Sequence, residues 1–599
     1  MLFVVLGFVL LGLAGLFGFD WYRQWKRYHR RPERCKKPGV PWLVILLLAG
    51  GLVLMITGFI SSPEPTAEST PTTEPSTQPE VTEAETEPVS VWSPGATGLT
   101  DPKNWDITWE IFESGQLTSS FTREDPISFG DPEEYFALPG IATFRGNNYR
   151  NSAAYGTADI TAGQMDILWD FDTQRLAGSS WSGSGWTGQP LIVQWDAATR
   201  QHMDMLPEKK EKEKLTEVIY ATLDGHIYFL DLEDGTPTRE PLNIGLCFKG
   251  SGSLDPRGYP LLYVGAGDQN SQGEKPRMYI ISLIDRQILY TYGNDDPLSR
   301  RTDNNGWCAF DSAPLVDAET DTLIWPGENG LLYTFRLNTR YTGSEISVTP
   351  DTPVLTRYST RRSGSEDHWL GYEASAAIVD RWLYISENGG MFYCVDLDTM
   401  RLVWAQDTGD DSNASPVFQS VSPEEGYLYT APSLHWTKDK ENRGTISVYK
   451  LNALTGEILW QTPFSVYTQE GVSGGMQSTA LLGKEGTSLE GMLIVSISRA
   501  PNEGTGILVA LDTATGQELW RYTTNYFAWS SPTAVYTPEG IGYVLLGDSG
   551  GTLHLLEGSS GTPVQSLQLN GNIEASPVIF GDILVLGTRE KKIYGIRLS

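Results

Sequence analysis

Three carboxylates and a carboxamide recur at one place in a repeating pattern of this chain. Asp311, Glu373, Asn413 and Glu574 each stand three residues before a Pro or Ala that opens a new copy of the pattern. The same offset gives Thr187, Met476 and Trp529 in other copies, and Arg257 in the second, where the pattern is irregular. Oxygen donors brought round one ring could hold a hard cation. They could equally form a solvated channel rim. Other chemistries lack their signatures: there is no Gly-x-Ser-x-Gly elbow, no His-Glu-x-x-His and no phosphate loop. The glycine-rich stretch 183–188 (GSGWTG) opens a strand rather than a helix. His202, His226, His368, His435 and His554 show no shared pairing. The 4 cysteines show no C-x-x-C spacing and no adjacent pair, so zinc has no ligand pattern. Cys394 alternates inward with a strand and reads as core. Cys247 and Cys308 precede the first strands of consecutive copies and could meet in a disulfide.

The elements that must position these residues are short strands. The clearest copies are 446–460 (ISVYKLNALTGEILW) and 507–520 (ILVALDTATGQELW). Each is an alternating strand, a Leu-Asp/Asn turn with Thr-Gly, and a second strand ending in Leu-Trp. Small-residue clusters such as 413–416 (NASP), 529–532 (WSSP) and 574–577 (EASP) lead into a further apolar strand. Several strands per unit, at a period of roughly 40–50 residues, predict an all-β fold, a β-propeller whose blades bury their faces by stacking. Taking Pro190, Pro260, Pro314, Ala376, Pro416, Thr479, Pro532 and Pro577 as equivalent gives eight blades. The last blade lacks a fourth strand. The segment 165–171 (MDILWDF) has that character and would close the ring, removing an exposed edge. In the turns, Asp or Asn accepts hydrogen bonds, Gly supplies positive φ, and Trp fills space between blades. Chemistry therefore has to come from residues that depart from the repeat at the channel mouth.

The Leu-Asp-x-x-Thr-Gly-x-x-x-Trp turns, as in 511–520, resemble the pyrroloquinoline-quinone (PQQ) repeat, and so does 144–156 (FRGNNYRNSAAYG). The resemblance covers roughly 145–599. It implies the eight-bladed fold of quinoprotein dehydrogenases and of the propeller lipoprotein of the β-barrel assembly machinery. It does not fix an activity, since many carriers of the repeat bind no quinone. Quinoprotein dehydrogenases use Glu, Asn and Asp around calcium and PQQ, which matches Asp311, Glu373 and Asn413 in residue type. They also carry a vicinal Cys-Cys disulfide, which this sequence lacks.

Two stretches, 1–19 and 41–60, are long and apolar enough to be transmembrane helices. The segment between them carries eight Lys or Arg residues over 21–37, so the positive-inside rule makes that loop cytoplasmic. The organisation expected is a membrane hairpin at 1–60 with its basic loop at 20–40, then a disordered Pro/Thr/Glu/Ser linker at 61–92. A pre-propeller segment at 93–160, dispensable for folding, would precede the propeller at 161–599. A formal net charge of −30 with no concentrated basic face in the propeller excludes nucleic acid as an expected partner.

The reading is a two-pass cell-membrane protein whose propeller lies outside the cytoplasm and binds an envelope protein or polymer, with the lipid bilayer as its other partner. Trp186, Asp311, Glu373, Asn413, Trp529 and Glu574 at the channel mouth are the candidate ligand contacts. No catalytic residue and no cofactor are expected. The rival is a membrane-tethered PQQ-dependent oxidoreductase with calcium.

Overall fold

Among the described residues eight largely antiparallel sheets form the blades, arranged as the repeat predicts, and the hairpin of Arg340–Tyr341 with Ile346–Ser347 stands apart from them. The computed structural model describes residues 92–293, 295–299, 308–362, 371–469 and 471–599. The expected membrane spans, the basic loop, nearly all of the linker and His368 lie outside these. Among the described residues no helix is long and apolar enough to cross a membrane.

Blade four shows the plan: Ala377–Val379, Trp382–Ser386, Met391–Asp396 and Arg401–Asp407 pair in that order. The first three strands are buried almost throughout, and the fourth is only partly so. Stacking explains this gradient, because inner strands meet neighbouring blades on both faces while outer strands meet solvent. Blade eight closes the ring as expected. Met165–Asp172 pairs antiparallel with Lys592–Leu598, setting Phe171 opposite Ile593 and Met165 opposite Leu598.

The turns of the repeat dock one blade on the next. Trp404, at the end of blade four, donates from Nε1 to the Ala453 carbonyl of blade five at 3.2 Å. Trp460, Trp520 and Trp169 do the same to Thr513, Gly558 and Leu232 in the blades that follow them. Each indole lies flat on the turn glycine: a Cβ on Gly456 would stand 2.5 Å from the Trp404 ring. Gly456 also has φ +73°, so the position demands glycine for two separate reasons.

The segment before residue 161 is part of the propeller rather than a cap set upon it. Trp92, placed by sequence at the end of the linker, is buried against Trp382, Tyr384 and Phe418. The hairpin of Thr108–Glu113 and Gln116–Thr118 extends blade three by two outer strands. Residues 140–155 then run across one end of the central channel. Gly140–Ile141 joins blade one and Ala154–Tyr155 joins blade eight. Between them the backbone accepts from Leu254, Ile378 and Phe418 in blades two, four and five. Two fully buried arginines fix this floor. Arg150 donates to the carbonyls of Phe144, Ala313 and Ala376 at 2.8–3.0 Å, and Arg145 reaches the Pro532 carbonyl at 2.8 Å. Neither has a carboxylate among these contacts, and burial lowers the Arg150 pKa to about 9.

Candidate functional site

A belt of hydroxyls links the blades around the other side of that floor. The Gln189 amide donates to Ser251 Oγ at 2.7 Å, Ala313 to Ser375, and Ser375 to Ser415. Ser415 donates to Thr479, Thr479 to Ser531, and Ser531 to Ser576. Ser576 returns to blade one through the Gly188 carbonyl. Blade three contributes Ala313 at this position, and its neighbour Ser312 donates from Oγ to the Ala374 carbonyl of blade four at 2.6 Å.

Two residues before each member of the belt lies the ring that faces the channel: Thr187, Lys249, Asp311, Glu373, Asn413, Gln477, Trp529 and Glu574. The sequence alignment holds for six of the eight. In blade two the ring residue is Lys249, not Arg257, which lies in a turn paired to Asp255 and Asp321. Pro260 precedes that blade's second strand; the true first strand, Ser253–Leu254, is two residues long and too short to show alternation. In blade six the residue is Gln477, whose Oε1 accepts from Asn413 Nδ2 at 2.9 Å, while Met476 is buried core.

The ring and the floor enclose a small cup. Phe144 forms its base, and Trp186, Thr187, Asp311, Glu373, Asn413 and Gln477 line its wall around about 40 Å³ of space. The wall has two characters. Over blades three to five it is acidic, and further acids stand behind it that sequence reasoning missed: Glu328, Glu387 and Asp411, all buried. Glu328 and Glu387 open the matching turns 328–330 and 387–389 (ENG in both), a repeated signal visible in the sequence. Glu387 accepts from the amides of Gly389 and Met391 and from the Tyr358 hydroxyl. Asn388 donates to Asp411 at 3.0 Å and to Asn413 at 3.4 Å.

Burial dominates the protonation of these groups. It pushes Asp311 up to about 7, against the pull of Lys249 and with the repulsion of Glu328. Asp411 and Glu387 also rise to about 7, each chiefly by burial. Glu373 is held well above the ordinary carboxyl range by burial and by Glu328, with which it shares a side-chain hydrogen bond. Burial disfavours the charge on Lys249, but Asp311, Asp268 and Glu328 outweigh it and raise its pKa. Its ammonium lies 2.8 Å from Asp268, which also accepts from Trp181 Nε1 at 2.7 Å.

Where blades seven and one approach the channel the rim is aromatic. Trp186 contacts Trp181 with ring centroids 5.2 Å apart and Trp529 at 5.4 Å, and Phe527 follows at 5.8 Å. Arg589 covers the two blade-one indoles at 5.1 and 5.8 Å and stands 3.6 Å from Glu574. Glu574, buried and pushed up to about 7, accepts from Asn572 at 2.8 Å. Of the six candidate residues, Trp186, Asp311, Glu373 and Asn413 line the cup, while Trp529 packs against Trp186 and Glu574 stands beside Arg589. Among the described residues no three His, Cys, Asp or Glu side chains are arranged to hold a metal ion. Cys247, Cys308 and Cys394 are buried free thiols, so the considered Cys247–Cys308 disulfide is not formed.

Comparison with known proteins agrees with the repeat. The family model described as outer membrane protein assembly factor BamB matches residues 442–536 and 504–598. The BamB of Legionella pneumophila (strain Paris) is 22% identical over 230 residues, 38% of this chain and 52% of that protein. The BamB of Burkholderia pseudomallei (strain K96243) is 32% identical over 148 residues, 24% of this chain and 32% of that protein. The chain thus spans about half the length, or less, of these curated relatives. A quinohemoprotein alcohol dehydrogenase from Pseudomonas putida HK5 superposes with a TM-score of 0.52 at 13% identity, covering 79% of this chain and 83% of that one. The corresponding enzyme from Comamonas testosteroni gives 0.50 at 12% identity, with 78% and 82% covered. At such identities the dehydrogenases share the fold alone.

Proposed function

We propose that this chain is a protein-binding scaffold module of the cell envelope, tethered to a membrane by residues 1–60 and presenting the channel mouth to its ligand. The observation that carries the reading is the cup itself, closed at one end by 140–155 and lined by half-buried groups that depart from the structural repeat. A blind cup with an aromatic rim suits an inserted side chain or loop. The repeat shared with outer membrane assembly factors supports a scaffold role, and the apolar stretches at 1–60 support the tether.

The quinoprotein rival finds less support. Sites for drug-sized ligands enclose about 300–1,000 Å³, whereas about 40 Å³ is open here between the ring and Phe144. The separate thiols of Cys247, Cys308 and Cys394 supply no vicinal disulfide wall. Oxygen donors are present, but these residues do not fit a fused tricyclic quinone.

The test is site-specific photo-crosslinking in the native cell. A photoreactive residue at Trp186 or Trp529 should capture a discrete protein, whereas one at Val564, exposed on the outer strand of blade seven, should not. Equal capture from all three positions, or none from the two rim positions, refutes the reading.

A further inference from the structure

The two arcs of the cup differ in a way that selects a ligand chemistry. Its acidic side brings Asp311, Glu373, Glu328, Asp411 and Glu387 close enough to perturb one another, while the ring itself supplies one cation, Lys249. Acids within a wall need not form a site, because they can satisfy each other. Here two buried oxygens have no partner among the described residues: Asp311 Oδ1, on the wall of the cup, and Oδ1 of the fully buried Asn388, whose amide reaches ring residue Asn413. An unsatisfied buried acceptor is unfavourable and is relieved by a donor. The opposite wall is Trp186, backed by Trp181 and Trp529, an indole surface that packs alkyl stems. The space of about 40 Å³ admits a side-chain tip and no larger group.

We infer that the cup receives a basic side chain, lysine or arginine, projecting from an extended segment of a partner protein. Its charged head donates to Asp311 and its neighbours while its methylene stem lies against Trp186. A strongly acidic chain, with 74 Asp and Glu against 44 Lys and Arg, adds long-range attraction for a basic segment. The biological ligand so described rests on the protein-binding reading above.

The probe is an end-capped pentapeptide with lysine between paired glycines, titrated calorimetrically into the full-length chain at pH 8. Norleucine, which keeps the stem and drops the charge, is the control, and arginine is the second cation. The lysine or arginine peptide should bind at least ten-fold more tightly than the norleucine one. Asp311→Asn combined with Glu373→Gln should weaken it ten-fold or more, and Asp582→Asn, in a turn of blade eight remote from the ring, should leave it unchanged. Asn413→Asp adds a charge with little change of shape and should tighten binding, which guards against loss through misfolding of the double variant. Equal binding of norleucine, undiminished binding by the double variant, or calcium occupying these residues without displacement by the peptide each overturns the inference. The titration needs no native partner. A failed photo-crosslink with intact lysine binding removes the scaffold reading alone, and a successful one without lysine selectivity removes this inference alone.

Discussion

Replacing Gly456 by alanine tests how the blades are joined. The glycine sits at φ +73°, and a left-handed conformation disfavours an L-residue by roughly 1–2 kcal/mol. Its Cβ would also stand 2.5 Å from the Trp404 ring, which is fully buried and bonded to Ala453, so the indole must move. Overpacking of this kind destabilises by typically about 1–3 kcal/mol. Gly456→Ala alone should therefore lower stability by roughly 2–5 kcal/mol. Trp404→Ala alone should lower it by about 3–5 kcal/mol through the cavity it leaves. The double variant separates the two effects. With the indole gone the new methyl enters empty space, and only the backbone term of about 1–2 kcal/mol survives. The double variant should then be more stable than the sum of the singles by about 1–3 kcal/mol, the coupling expected for residues in contact. Chemical denaturation of the compact unit Pro88–Ser599, followed by tryptophan fluorescence and circular dichroism, measures it. Additive losses within about 0.5 kcal/mol would refute the docking of Trp404 on this turn.

Glu574 should make stability depend on pH. Its carboxyl pKa is about 7 in the folded state against an ordinary 4.5, so between these values only the folded state keeps the proton. The resulting stabilisation is full below 4.5 and lost as pH rises through 7; Glu574→Gln should abolish up to roughly 3 kcal/mol of that dependence, seen as flatter melting temperatures from pH 5 to 8. Arg150→Met orphans three buried carbonyls in the floor and should destabilise by about 3 kcal/mol or more; an unchanged denaturation midpoint would contradict the role given to it. Removing residues 1–162 should unfold or aggregate the protein as surely as removing 1–173, because the floor and two strands of blade three are lost as well as, or before, the closing strand; a folded monomer from the shorter deletion, judged by gel filtration and near-ultraviolet circular dichroism, would show that the segment is dispensable. Cys35, in the basic loop, should resist a membrane-impermeant thiol reagent in intact cells, and ready labelling would invert the proposed topology.

The sequence alone determined the architecture, because the repeat writes each blade's turn, packing residue and periodicity locally. The equivalent positions at the small-residue clusters counted the blades, and the unpaired strand 165–171 announced the closure now seen against Lys592–Leu598. It also found most of the ring, since a fixed offset from a small-residue cluster survives wherever the first strand is regular. It failed at Lys249 and Gln477, where a two-residue strand or a glycine-rich approach leaves no alternation to align. Only tertiary structure decided that 140–155 stops the channel, because Arg145 and Arg150 find their acceptors up to 388 residues away. Nor could spacing reveal that Glu328, Glu387 and Asp411 crowd behind the ring. The ENG turns repeat in the sequence but say nothing of their surroundings, and the raised pKa values of Glu387 and Asp411 arise chiefly from burial, which exists only after the blades have closed round a common axis.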